Sequence, residues 1–197
     1  MDSNLQLGLA LASGVVLAAA CGLRAFLPLL ALGIAGRLGW LHLAPAMQWL
    51  QHPAALSCLG AATLIEIVGD KIPVVDHALD AIATAVRPAA AWIAGVAVLA
   101  HWPAPWPELV AIVLGGGAFA VHALKAKTRL GSSVATLGHA NPLLSIFEDA
   151  TTLVLLALAI LAPLIALVLT VLLVMAIVRW ARRRRVRPAS TPRILAS

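Results

Sequence analysis

The sequence predicts an all-α, polytopic helical membrane protein of about six transmembrane helices, with five as the alternative, and three observations carry that prediction. First, 62% of the 197 residues are apolar and 11% are charged, and the mean hydropathy of +0.99 lies well outside the range of soluble domains. Second, a bilayer core roughly 30 Å thick takes about 20 helical residues to cross. A chain of this length therefore holds five or six crossings and leaves no room for a soluble catalytic domain. Third, the net charge of +6 is unevenly placed: seven arginines and no acid lie in 179–193, whereas the rest of the chain sets seven Lys/Arg against eight Asp/Glu. Such a tail is a topology signal that holds its end in the cytoplasm, with attraction to anionic headgroups as a second role. That distribution argues against a nucleic-acid partner.

The first apolar segment, 5–35, contains Arg24 and Pro28. As one straight helix it would be roughly 45 Å long, more than the hydrocarbon requires, so a break or strong tilt is expected near 24–28. Residues 40–52 carry Trp40, His42, Pro45, Gln48, Trp49 and Gln51. The tryptophans suit the headgroup level, and the stretch reads as an interfacial loop or short helix. A second crossing, 53–69, opens with Pro53, which suits a first helical turn. The polar run Asp70-Lys71-Ile72-Pro73-Val74-Val75-Asp76-His77-Ala78-Leu79-Asp80 comes next. Pro73 should end the helix, with 76–86 forming a short amphipathic helix before Arg87-Pro88.

A third, short crossing covers 89–100. The loop 101–107 is too rich in proline to be helical, and Trp102 and Trp106 again mark an interface. The fourth crossing, 109–124, includes Gly115-Gly116-Gly117, which allows close helix contact or a kink. Lys125, Lys127 and Arg129 follow, then a loop to Asn141-Pro142. The stretch 143–178 is too long for one upright span, and Pro163 divides it. Two crossings joined by a tight turn are the preferred reading, a single long kinked helix the other.

The organisation expected is one transmembrane domain over 1–178, with halves 5–100 and 109–178, and a basic, disordered cytoplasmic tail over 179–197. Six crossings put the N-terminus and C-terminus both in the cytoplasm. The Lys71/Arg87 and Lys125/Lys127/Arg129 loops then fall on that side too, leaving Arg37 outside. A weak repeat lays 14–25 over 115–126, matching Arg24 to Lys125, each followed by a helix carrying Glu66 or Glu148. It suggests an inverted repeat of two three-helix halves, as in many transporters. Met1-Asp2-Ser3-Asn4 lacks the basic start of a signal peptide, so the first segment is expected to remain in the mature protein. Cys21 and Cys58 lie in apolar stretches without CxxC spacing and read as packing residues. Glycine-rich helix faces make a homodimer one possible assembly.

A charge in a membrane segment costs roughly 2.5–3.5 kcal/mol or more unless it is paired or hydrated, so each is a functional candidate. Arg24 lies deep in the first segment. Glu66 and Asp70 are spaced i,i+4, with Lys71 beside them, and His122, Lys125 and Arg129 share a face at i, i+3, i+7. Glu148 and Asp149 open the fifth helix. Two readings compete: structural ion pairs that lock helices together, or a polar cavity for an ion or a charged headgroup. Asp76, His77 and Asp80 are metal-ligand candidates, although no HExxH, EF-hand or CxxC spacing is present. The adjacent basic residues suit an anion held by Arg and Lys instead. Ser132-Ser133 near His139 lacks a GxSxG elbow, and the glycine triplet lacks a following Gly-Lys-Ser/Thr. No catalytic residue, enzyme activity or cofactor is expected.

Taken in order, the polar motifs resemble a known family. Gly22-Leu23-Arg24-Ala25-Phe26-Leu27-Pro28-Leu29, then Glu66 with Asp70-Lys71-Ile72-Pro73-Val74-Val75-Asp76-His77 and Asp80, then Arg87-Pro88, and finally His122-Ala123-Leu124-Lys125-Ala126 with Thr128-Arg129 and 145–149 are similar to the bacterial membrane proteins known as domain of unknown function 4126. The resemblance covers nearly everything from the first helix to the tail and implies a multi-pass protein of the bacterial inner membrane, with no assigned activity. The sequence departs from the pattern at 132–139, where a more Asn/Pro-rich stretch with an acid is expected. A looser analogy links the Arg/Pro/Gly-containing first segment to lipid-phosphate transporters of the inner membrane. The function expected is a small transporter or channel-like protein with a charged intramembrane site for an ion or an anionic headgroup. A non-catalytic scaffold and a divalent-cation transporter are the alternatives, and membrane lipid is the expected partner.

Overall fold

The computed structural model describes residues 3–136 and 140–161 together with single positions between 163 and 179, and for 3, 73–78 and 135 the backbone alone. The described residues are all-helical: α1 (Ser3–Leu23), α2 (Phe26–Arg37), a short 3-10 helix (Pro45–Gln51), α3 (Pro53–Gly69), α4 (Pro73–Val98), α5 (Trp106–Thr136) and α6 (Asn141–Leu161). Among the described residues four spans are long and apolar enough to cross a membrane, namely Asn4–Leu23, Leu79–Val98, Trp106–Val134 and Asn141–Leu161. The 3-10 helix and α3, bent by 69° to one another, make a fifth if taken together. The sixth crossing, expected after Pro163, and the basic tail lie largely outside the described residues.

The break expected in the first segment falls at Arg24-Ala25, and it is sharper than a tilt. α1 runs the length of the bundle, and α2 turns back, so that Trp40 and Leu41 share a cavity with Gln6 and Leu9 near the start of α1, while Leu27 and Ile34 line another with Leu153 and Ile160 of α6. α3 then runs forward again and brings Glu66 to the start of α2. The proline-rich loop at 101–105 is non-helical as expected, and α5 starts at Trp106.

Two boundaries differ from the sequence reading. Pro88 does not separate two helices but lies inside α4, which is continuous from Pro73 to Val98. Packing carries the chain through this proline. α5 lies so close that a Cβ on Gly115 would sit 3.0 Å from the Pro88 carbonyl oxygen, and Ala90, Ala91, Ala94 and Ala97 are fully or almost fully buried. α5 likewise continues past Arg129 to Thr136 instead of ending in a loop. Its three glycines divide by role: Gly115 meets α4, while Gly116 and Gly117 have open space beside them.

The inverted repeat is not what the contacts show. A Cβ on Gly14 would lie 3.1 Å from Leu114, one on Gly22 would lie 2.7 Å from the Ala118 oxygen, and Lys125 reaches the Leu23 carbonyl at 3.1 Å. Residue numbers rise together along both helices, so α1 and α5 run parallel. Segments related by an in-plane twofold axis would run in opposite directions.

The course of α1 bears on the expected sharing of one side by the N-terminus and the basic loops. Near its start, α1 meets the loop after α4, where Trp102 donates to the Leu7 carbonyl at 3.4 Å. Its far end, about 31 Å away at 1.5 Å per residue, carries Arg24 bonded to Asp70, next to Lys71. The chain start and the Lys71 loop are therefore at opposite ends. The sequence reading places one crossing over 5–35, whereas α1 and α2 form a hairpin there.

Candidate functional site

The break between α1 and α2 is the foundation of the site. Backbone N–H groups at the start of a helix have no partner within it, and their dipoles point at whatever lies beyond. At α2 the cap residue is Ala25, which has no side-chain oxygen to offer. The Glu66 carboxylate takes that place from α3, accepting from Ala25 N–H at 2.9 Å and Phe26 N–H at 3.3 Å. Pro28, the third residue of α2, has no N–H and so leaves one donor fewer to satisfy.

One turn further along α3, Asp70 gathers three cations on a single oxygen. Its Oδ2 accepts from Arg24 Nη1 at 2.5 Å, Arg129 Nη2 at 3.0 Å and Lys125 Nζ at 3.3 Å. Arg24, fully buried, also donates to the Glu66 carbonyl at 3.2 Å and to Ser145 Oγ at 3.0 Å, and lies 2.6 Å from Asp149. Glu148 holds the other faces of the α5 cations: Arg129 Nη2 at 2.7 Å, Arg129 Nε at 3.3 Å and Lys125 Nζ at 3.0 Å. Lys71, partly exposed, closes the rim on Asp149 at 3.5 Å. Asp70 thus meets Lys125 and Arg129, while Glu66 turns to the start of α2 and His122 to α4.

A second branch runs along α4. Arg87 donates to His122 Nδ1 and lies 3.7 Å from Glu66 and 3.9 Å from Asp80. His122 Nε2 sits 3.3 Å from Thr84 Oγ1. Because Thr84 already donates to the Asp80 carbonyl, Nε2 carries the proton and Nδ1 the lone pair, so the imidazole is neutral.

All nine sequence-derived site residues, Arg24, Glu66, Asp70, Lys71, His122, Lys125, Arg129, Glu148 and Asp149, belong to this one network. Arg87 and Ser145 were missed as site residues. Arg87 would have been found had α4 been read as continuous, since Asp80, Thr84 and Arg87 then fall at i, i+4, i+7 on one face. Ser145 carries no charge to mark it. Of the three metal-ligand candidates, Asp80 lies 3.9 Å from Arg87. Among the described residues no three His, Cys, Asp or Glu converge as a metal site, and the Asp76 and His77 side chains lie outside the described residues. His139 also lies outside them, while Ser133 accepts from Asn141 at 2.9 Å.

Among the described residues the charges of the network balance: Arg24, Lys71, Arg87, Lys125 and Arg129 stand against Glu66, Asp70, Asp80, Glu148 and Asp149. Two lateral cavities reach it. One of about 430 Å³ lies between α5 and α6, walled by Leu23, Val121, Leu124 and Phe147 and ending on Lys125 and Glu148. Another of about 250 Å³ lies between α3 and α4, walled by Ile65, Ile82 and Val86 and ending on Glu66 and Arg87.

Fold and site together define a class: a small helical membrane protein with a broken first segment and a buried, charge-balanced centre near one end of its bundle. Within that class the chain belongs to the family described as domain of unknown function (DUF4126), which it matches over residues 11–183. No curated protein and no solved structure matches it.

Proposed function

We propose that the protein is a small inner-membrane transporter whose charged centre handles an anionic group, either a small oxyanion or the phosphate of a lipid headgroup. The observation that carries this reading is the meeting of Arg24, Lys125 and Arg129 on one oxygen of Asp70. Three cations around a single oxygen are the donor set that a phosphate recruits, and here a side-chain carboxylate occupies it. Depth supports a lipid-facing role. Lys125 is nineteen residues beyond Trp106 on α5, about 28 Å along a helix, which corresponds to the far edge of the hydrocarbon. The cleft between α5 and α6 has apolar walls for acyl chains and ends at that level on Lys125 and Glu148. By the positive-inside rule, the end carrying Lys71 and Lys127 faces the cytoplasm.

The test is flux in proteoliposomes, measured for inorganic phosphate and, separately, for a fluorescent anionic phospholipid moving between leaflets. The wild type moves one of the two, and Arg129→Gln and Glu148→Gln lose flux while remaining folded and monodisperse. A wild type that moves neither would reject the reading. The ion pairs between acids and bases of different helices favour one other interpretation, a non-catalytic scaffold whose ion pairs clamp the helices together. In that case the same variants lose stability and no flux exists to be lost.

A further inference from the structure

We infer that the seam between α1 and α6 is the route of a small hydrophilic oxyanion between the charged centre and the opposite end of the bundle, closed in this structure by Leu17 and Leu156. The inference rests on the transporter reading and deepens it, because it selects the free anion over a lipid phosphate. α1 and α6 pack antiparallel. Ser13 donates to the Ala159 carbonyl at 3.0 Å near one end, and Arg24 meets Ser145 at 3.0 Å and Asp149 at 2.6 Å near the other. On α1, Ser13, Leu17, Ala20 and Arg24 follow the steps of four and three that keep one face on a neighbouring helix. On α6, Asp149, Thr152, Leu156 and Ala159 do the same in reverse. In this register Leu17 lies level with Leu156, both part of the buried core, and Ala20 lies level with Thr152.

A cavity of about 280 Å³ opens onto this seam at the end away from the charged centre. It is lined by Gln6, Ser13 and Leu17 of α1, His42 in the loop after α2, His101 after α4 and Ala159 of α6. Four stretches of chain thus surround it, whereas each cleft that reaches the centre lies between two helices. Among the described residues the side chains of Gln6, His42 and His101 have no hydrogen-bond partner, so the mouth offers donors and acceptors to a hydrated solute. Its floor is Leu17, 1% exposed. From Leu17 to Arg24 is seven residues, about 10 Å along the helix. Over that distance the large apolar side chains of the seam are Leu17 and Leu156, and the next layer is small or hydroxylic, with Ala20 and Thr152 both fully buried. A single hydrophobic layer of this kind blocks ions by staying dry and passes them when its side chains part. The polar mouth suits an anion that leaves the bilayer edge altogether, because a lipid phosphate would have to trail its acyl chains through a lateral cleft.

Thiol accessibility tests the route, with a small charged methanethiosulfonate added to the face of sealed vesicles that carries Ser3. Ser13→Cys, in a full-length background lacking Cys21 and Cys58, is expected to react. Native Cys21, one turn beyond Leu17 and fully buried, is expected to stay unreactive in Cys58→Ser. Adding Leu17→Ala to Cys58→Ser should raise the Cys21 rate by roughly tenfold or more by opening the dry layer, and Leu156→Ala is read in the same way should Leu17→Ala fail to fold. Modification of Ser13→Cys should also lower inorganic phosphate flux by roughly tenfold or more. An unreactive Ser13→Cys overturns the inference, as does a Cys21 rate that neither alanine variant changes. Phosphate flux that survives modification at Ser13→Cys overturns it too. The transporter reading fails separately: phosphate flux without these labelling results, or flux of the fluorescent phospholipid alone, discards the seam and leaves transport standing, whereas a wild type that moves neither probe discards both.

Discussion

Replacing Asp70 by Asn keeps the shape of the side chain and removes the charge on which three cations meet. Among the described residues the wild-type centre holds five charges of each sign, so Asp70→Asn shifts it toward positive charge. Arg24, Lys125 and Arg129 then remain within about 3.3 Å of a neutral amide oxygen. Breaking a buried pair costs about 3–5 kcal/mol because the surviving partner remains buried without compensation. Asp70 and the three cations are all almost fully buried, so solvent does little to relieve that cost. The variant should lose about two to four orders of magnitude in its folding equilibrium. Reversible unfolding in mixed micelles with increasing SDS, followed by tryptophan fluorescence, measures it. The double variant Asp70→Asn/Arg129→Gln restores charge balance and should recover at least part of the loss. A single-variant change below about 1 kcal/mol, the value of an exposed pair, would refute the idea that Asp70 anchors the network. A double variant no better than the sum of its parts would refute charge balance as the reason.

Helix packing yields a second contrast. A Cβ at Gly22 would come within 2.6 Å of Val121 and 2.7 Å of the Ala118 oxygen, so Gly22→Ala must push α1 away from α5 and should cost about 1–3 kcal/mol. Gly116 has no atom within 4 Å of that position, and Gly116→Ala should be neutral or stabilise by up to about 1 kcal/mol through helix propensity. The same unfolding assay ranks the two, and equal effects would contradict the packing described. Topology supplies a third prediction. Cysteines introduced at Ser3 and Lys127, in a background lacking Cys21 and Cys58, should react with a membrane-impermeant maleimide from opposite faces of sealed vesicles. Labelling from one face would restore the even-parity arrangement.

Much of this site is legible without coordinates because charges within apolar segments need partners. Once Arg24, Glu66, Asp70, Lys125, Arg129 and Glu148 are placed in membrane segments, desolvation makes their convergence the expected outcome. The same argument located the helix break, since an arginine and a proline four residues apart interrupt an otherwise apolar run. What it could not supply was the direction of the chain after the break. An apolar helix reads the same whether it continues or turns back, and α2 turned back because Glu66, forty residues away in sequence, satisfies its exposed N–H groups.

The sequence by itself determined that the protein is helical, apolar and built for a bilayer, and which charged side chains had to find one another. Those properties follow from composition and from spacing along single helices, which are local. Only the tertiary structure decided that α1 and α5 run parallel, that Pro88 sits inside a continuous helix, and that Arg87 joins the centre. It also decided that the chain start lies opposite the Lys71 loop. Each of these depends on how closely two helices approach, through a missing Cβ at Gly22 or Gly115 or a carboxylate reaching across from α3. Such contacts between distant residues leave no period in the sequence to be read.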